Sequence, residues 1–186
     1  MIEITSEAIE RAETLLAGIP KGAERAFSNA INRAVTYSKT KAFKEVRKVY
    51  AVKQNDLNSA TAIRIQNANT GDIAGFVSFS GVKLPLYKFN VSQNAPKKSK
   101  SIRAGLMKGS QTEFKHAFIA QMNSGHIGIF ERTTSKRLPI EEIMGLSGAQ
   151  MVQNEVIIDQ LSEEAQEKVN ERVMHEIDRI LNGYGG

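Results

Sequence analysis

The stretch from Gly22 to Tyr50 constrains the fold most. Phe27, Ile31, Val35, Ser38, Ala42, Val46 and Val49 recur at spacings of three and four, with no proline or further glycine among them. That is the pattern of one face of an α-helix. At ~1.5 Å per residue the helix is on the order of 40 Å long. Ala26, Ala30, Ala34, Ser38 and Ala42 keep it slim enough for close backbone packing against a neighbour. Lys41, Lys44 and Lys48, with Arg47 beside them, form a separate stripe on its outward face. A shorter helix precedes it over about Ser6–Ala17, where Ile9, Ala12, Leu16 and Ile19 share a face, Thr5 or Ser6 caps the first amides, and Gly18 and Pro20 punctuate. A short helix capped by Asn55 or Asp56 follows it. Near the other end, Ser162 followed by Glu163 and Glu164 reads as a helix start, with an N-cap and acids that suit the dipole. Ala165, Val169, Val173, Ile177 and Leu181 form its buried face, and Gly183 stands where a C′ glycine belongs.

Between these helices the period changes. Ala62–Gln66 alternates weakly. Ile73, Gly75, Val77 and Phe79 alternate with Ala74, Phe76 and Ser78, Ser80-Gly81 turns the chain, and Val82, Leu84 and Leu86 continue, which predicts a hairpin with Pro85 at an edge or bulge. Phe114–Gln121 and His126–Glu131 predict a second hairpin, joined by Asn123-Ser124-Gly125. GLSGAQM at 145–151 reads as a connector. Residues 91–112 are poor in large apolar groups and rich in Ser, Gly and Lys, and read as a basic flexible loop that should be protease-sensitive without partners. The element order predicts an α+β fold, an antiparallel sheet of about four to five strands packed against a long N-terminal helix and a C-terminal helix. At 186 residues the chain fits one domain, residues 1–186, able to bury roughly two-thirds of its unfolded surface.

Composition removes several function classes. With no cysteine there is no disulfide framework, thiolate zinc site or cysteine nucleophile. The absence of Trp, with aromatics at 6%, argues against a base-stacking platform. No run approaches the ~18 apolar residues of a membrane span. The acidic, amphipathic N-terminus lacks the basic and apolar regions of a signal peptide, so cytosolic synthesis is expected.

Histidines and acids assemble no recognisable catalytic pattern. His175-Glu176 would need a second histidine at 179 for a zincin helix, and that position is Arg179. His116 and His126 fall on adjacent predicted strands with Glu131 nearby, so a two-His-one-carboxylate metal site is conceivable. Packed or hydrogen-bonded strand histidines are the plainer reading. There is no nucleophile elbow and no phosphate-binding loop. Glu141/Glu142 and Glu163/Glu164 are sequence neighbours, about 100° apart on a helix, and do not converge on one substrate. The reading is no enzyme, no cofactor and no metal.

Charge is the more informative property. The net charge of +5 hides an asymmetry. Residues 21–50 carry eight Lys/Arg against Glu24 and Glu45, a net of +6. Residues 97–108 carry Lys97, Lys98, Lys100, Arg103 and Lys108 with no acid, and residues 139–186 carry ten Asp/Glu against Lys168, Arg172 and Arg179, a net of −7. Such a dipolar chain suits nucleic acid on one side and head-to-tail contacts between copies, and equally suits charge-mixed surface helices. The basic segment 97–108 could give weak, salt-sensitive DNA binding or be a solvated linker. No sequence-reading DNA motif accompanies it.

Ala117-Phe118-Ile119-Ala120-Gln121-Met122, then Gly125-His126-Ile127-Gly128-Ile129-Phe130-Glu131-Arg132, then Arg137-Leu138-Pro139-Ile140 resemble a pattern in tailed-phage minor tail proteins. Ala30-Ile31-Asn32-Arg33-Ala34 within a long helix and a basic stretch in mid-chain match it as well. Together, over roughly residues 20–182, the chain resembles the prophage minor tail protein Z family, related to tail-completion and head–tail joining proteins. It departs at Gly145-Leu146-Ser147, where the family more often has proline after the glycine.

The resemblance implies a non-enzymatic structural protein of the virion. It would act at the head-proximal end of the tail beside the tail terminator, tail tube and neck proteins, and be made in the host cytoplasm during assembly. It would help the tail join the head and pass DNA as a sixfold ring, a homo-hexamer. A ring needs heterologous interfaces, and the +6 and −7 ends of the chain are complementary faces for one. Lys97, Lys98, Lys100, Arg103 and Lys108 then become candidate DNA or partner contacts. Lys41, Lys44, Lys48, Arg132 and Arg137 become candidate interface residues, and Asn32 and Arg33 candidate polar anchors for the sheet. The alternative function is a non-specific DNA-binding protein using the basic loop 97–108.

Overall fold

A computed structural model describes residue 4 and residues 6–93, 95–96 and 101–183. The fold is α+β, and among the described residues the strands fall into four small antiparallel sheets rather than one. The chain forms two compact units.

The first unit comprises the described residues up to Ala42, Ile63–Ser78 and those from Asn154 onward. Helix α1, Ser6–Leu16, turns through Lys21 at φ 54° into α2, Gly22–Val49. Ala12, Leu16, Ala26, Phe27, Ala30 and Ala34 from these helices form one core with Val169, Val173, Ile177 and Ile180 of the C-terminal helix α5, Glu155–Leu181. Each large apolar side chain buried there contributes about 1.5–3 kcal/mol. The alanines four residues apart let the helical backbones approach closely, as their spacing predicts. Gly183, at φ 79°, terminates α5 as the C′ residue.

Helix α5 starts at Glu155, seven residues before the expected Ser162, with Asn154 at the N-cap position. Ile157 and Leu161 are buried and extend the same stripe backward at four-residue steps, so the cap-like Ser162 lies inside the helix. The expected last core residue, Leu181, is 47% exposed, and Ile180 is buried instead. A strict four-residue step drifts about 40° each time, and the three-residue step from Ile177 restores the face.

Strand β1, Thr61–Gln66, pairs with β2, Phe76–Gly81. The predicted hairpin across Ser80-Gly81 does not form. β3, Lys83–Pro85, instead joins β10, Met144–Ser147, with Met144 opposite Pro85 and Ser147 opposite Lys83. Both are edge strands, and an edge tolerates the missing N–H of Pro85. Hairpin periodicity identified the strands but not the partner, which lies about sixty residues away.

The second unit comprises Phe43–Ala62 and Phe79–Gln153. The hairpin β7, Ala117–Gln121, and β8, Ile127–Arg132, forms, with Phe118 opposite Phe130 and Gly125 at φ 84° in the turn. Its first strand starts at Ala117 rather than at the expected Phe114, because a turn at Lys115-His116 breaks the run. β9, Ile140–Glu142, adds to β8. A further sheet runs β4, Asn90–Val91; β5, Ile102–Gly105; β6, Thr112–Phe114. Its central strand lies inside the stretch read as a loop. Ile102 and Ala104 are both 1% exposed while Arg103 between them is exposed, an alternation too short to register as a period. Helix α3, Gln54–Ala60, buries Leu57. The expected connector carries helix α4, Gly148–Val152, started by a Ser147/Gln150 capping box. No helix among the described residues is long and apolar enough to cross a membrane.

Candidate functional site: a basic cradle

The last turns of α2 carry Lys44, Arg47 and Lys48 at i, i+3 and i+4, spacings that place side chains on one helical face. Phe43, Val46 and Tyr50 are buried, so the three cations face solvent. Just past the helix, Lys53 is also exposed.

The turn after β5 is held against this helix end by backbone bonds. Lys108 N–H donates to the Val49 carbonyl at 3.0 Å, and Ala51 N–H donates to the Leu106 carbonyl at 2.8 Å. Tyr50 and Met107 form an antiparallel bridge between them. The Lys108 N–H satisfies one of the terminal helix carbonyls that otherwise lack partners. The same bond brings the Lys108 side chain beside the helical cations. Gly109, at φ 75°, permits the turn.

Lys44, Arg47, Lys48, Lys53 and Lys108, with Ala51 and Val52, line an open concavity of about 420 Å³. One carboxylate lies under it: Glu45 is 1% exposed and is ion-paired to Lys48 Nζ. Among the described residues Lys44, Arg47, Lys53 and Lys108 have no carboxylate within ion-pairing distance. Like cations at this density repel one another, so an anionic surface seated here relieves the repulsion while it gains its own attraction.

Lys41 does not belong to this group. Its Nζ lies 3.2 Å from Glu164 and 5.1 Å from the centre of the Tyr37 ring. Tyr37 first and Glu164 second hold its ammonium above the usual lysine range. The Tyr37 hydroxyl donates to Glu164 Oε2 at 2.8 Å, and with Lys41 and Gln160 it draws the Glu164 carboxyl below the usual range. The stripe read as Lys41, Lys44 and Lys48 is therefore divided, because α5 carries a carboxylate that meets only the first.

Arg103 is exposed on β5 opposite Glu113 and does not line the cradle. Lys97, Lys98 and Lys100 lie outside the described residues. Arg132 stacks over Phe118 at 4.7 Å and borders a separate hollow with Lys115, His116, Thr134 and Ser135. Arg137 is exposed and borders neither. Asn32 anchors the segment after β1 through Ala68, whereas Arg33 is exposed.

His116 and His126 stand at opposite ends of the β7–β8 hairpin, since Ala117 faces Glu131 at one end and Gln121 faces Ile127 at the other. His126 Nε2 lies 2.7 Å from Glu142 Oε1, not beside Glu131. Among the described residues no three His, Cys, Asp or Glu side chains are placed to hold a metal.

Sequence reading missed the convergence of Lys108 and Lys53 with the α2 cations. It also missed a line of acids at four-residue spacing on α5, Glu155, Asp159, Glu163 and Glu167, all exposed. The spacing itself was the available signal for that ridge.

No curated protein and no solved structure matches the chain. The model of the family described as prophage minor tail protein Z matches residues 6–184, almost the whole length, so this chain belongs to the prophage minor tail protein Z family, the minor structural proteins of phage tails.

Proposed function

We propose that this protein completes the head-proximal end of the phage tail, as a homo-hexameric ring next to the tail terminator and neck proteins, and prepares it for joining to the head and for DNA passage. The observation that carries this reading is the family match over residues 6–184. That one chain carries both a basic cradle and an acidic α5 supports the ring, because a heterologous interface requires two different and complementary faces. Quantitative mass spectrometry of purified particles tests it. A handful of copies per particle, enriched with the head-proximal tail fraction, is the expected result. Absence from intact particles, or hundreds of copies distributed along the tube, overturns it.

A second reading has its own support in the cation cluster: non-specific binding of duplex DNA. It predicts an affinity whose logarithm falls linearly with the logarithm of salt concentration. Replacing Lys44, Arg47, Lys53 and Lys108 by Ser should flatten that slope. Absence of binding at low salt removes this reading.

A further inference from the structure

We propose that the basic cradle seats helix α5 of a second copy of this chain, with Lys44, Arg47, Lys48, Lys53 and Lys108 facing Glu155, Asp159, Glu163 and Glu167. This inference rests on the ring reading above and names the surfaces that would join its members.

The acids run along three turns of α5, a ridge of roughly 18 Å. Their helix buries Ile157, Leu161, Ala165 and Val169, so the ridge stands away from its own core. Among the described residues none of the four carboxylates holds an ion pair. On the cradle side only Lys48 is paired, to Glu45. Two unneutralised surfaces of opposite sign on one chain are complementary between copies. The chain already makes this type of contact internally, where Lys41 meets Glu164 of the same helix.

Apolar groups favour a protein occupant over DNA. Met107, next to Lys108, is 45% exposed, and Val156 and Ile158, next to Glu155 and Asp159, are 69% and 44% exposed. A phosphate backbone has no use for these side chains, whereas a second copy can cover them. Exposed ion pairs are individually weak and are screened by salt. The contact is accordingly weak in dilute solution, salt-sensitive, and suited to copies held at high local concentration in an assembly. Because the two faces differ, copies join head to tail.

The test uses charge reversal in the full chain. Lys44→Glu with Arg47→Glu and Lys108→Glu makes one variant; Glu155→Lys with Asp159→Lys and Glu163→Lys makes the other. Sedimentation at low salt should show self-association of the unaltered chain and at least about a tenfold weaker association of each variant alone. An equimolar mixture of the two variants should recover it, because each supplies the sign that the other lacks. If a triple variant does not fold, the neutral pair Lys44→Gln with Lys108→Gln and the single Asp159→Asn take its place, each with weakened association expected.

An unaltered chain that stays monomeric at low salt, variants that associate like it, or a mixture that recovers nothing each overturn the proposal. Loss of duplex DNA binding on cradle reversal, with self-association intact, assigns the cradle to nucleic acid and likewise overturns it. Particle copy number is read separately, so this interface can fail while the ring reading stands, and the reverse.

Discussion

Asn32 holds the backbone of Ala68 at both polar atoms: its Oδ1 accepts from the Ala68 N–H at 2.7 Å, and its Nδ2 donates to the Ala68 carbonyl at 2.9 Å. Ala68 is 6% exposed, so water cannot readily replace the side-chain amide. One residue on α2 thereby fixes the irregular segment between β1 and β2. Asn32→Ala leaves a buried donor and acceptor unpaired, and should cost about 2 kcal/mol. Asn32→Asp keeps the acceptor but sets a carboxylate oxygen against the Ala68 carbonyl, and should cost at least as much as Ala at neutral pH. Chemical denaturation of the three proteins checks the order, and an Ala variant as stable as the parent would contradict it.

The Tyr37–Glu164–Lys41 group makes stability depend on pH at two extremes. Glu164 is lowered from 4.5, chiefly by the Tyr37 hydroxyl, so its contribution is present above about pH 4.5 and is lost as pH falls through the lowered value. Lys41 is raised from 10.5, so its contribution is present below about pH 10.5 and is lost as pH rises through the raised value. Tyr37→Phe should lose about 1 kcal/mol at pH 7. That difference from the parent should shrink in acid, once the parent's carboxylate is protonated. Melting curves from pH 2 to 7 would show the two proteins converging; a constant gap would mean that the hydroxyl acts through packing alone.

Gly105 on β5 faces the Ser110 carbonyl so closely that a Cβ built on it would lie 1.7 Å from that oxygen. Gly105→Ala must push backbone from backbone, and should cost about 2 kcal/mol or more. It should also shift the turn that presents Lys108. Gly109→Ala is the contrast, since its Cβ meets open space and only the φ of 75° resists, at about 1 kcal/mol. Hydrogen exchange at the Lys108 and Ala51 amides should accelerate in the first variant far more than in the second.

Glu176 is 2% exposed and lies 3.0 Å from both Arg172 Nη2 and Arg179 Nε, with Asn29 Nδ2 at 3.4 Å. Glu176→Ala strands two partly buried guanidinium groups beside an apolar core, and should cost about 3 kcal/mol. Glu176→Gln, which keeps the shape but not the charge, should lose less. Thermal unfolding orders the three proteins, and equal losses in Ala and Gln would assign the whole effect to charge.

Legibility followed the range of the interaction. Helix α2 was read to within one residue because its period repeats through seven turns. The β7–β8 hairpin was legible because a short turn fixes its partner. β3 was visible as a strand, but its pairing with β10 depends on chain that arrives much later. β5 escaped because Ile102 and Ala104 are its only large-scale burial signal and basic, serine-rich sequence precedes them. The site divided in the same way. Lys44 and Lys48 were legible as a helical stripe. Lys108 was legible only as a loop cation, since the Lys108–Val49 bond that carries it to the helix is non-local.

The core shared by α1, α2 and α5 has a consequence for the timing of synthesis. Ala12, Leu16, Phe27 and Ala34 are synthesised well before the side chains that cover them, Val169, Val173, Ile177 and Ile180. At about 5–20 residues per second, the apolar faces of α1 and α2 wait many seconds for their cover. The apolar faces of α1 and α2 therefore stay uncovered until α5 has been made, and this core closes only by long-range contact.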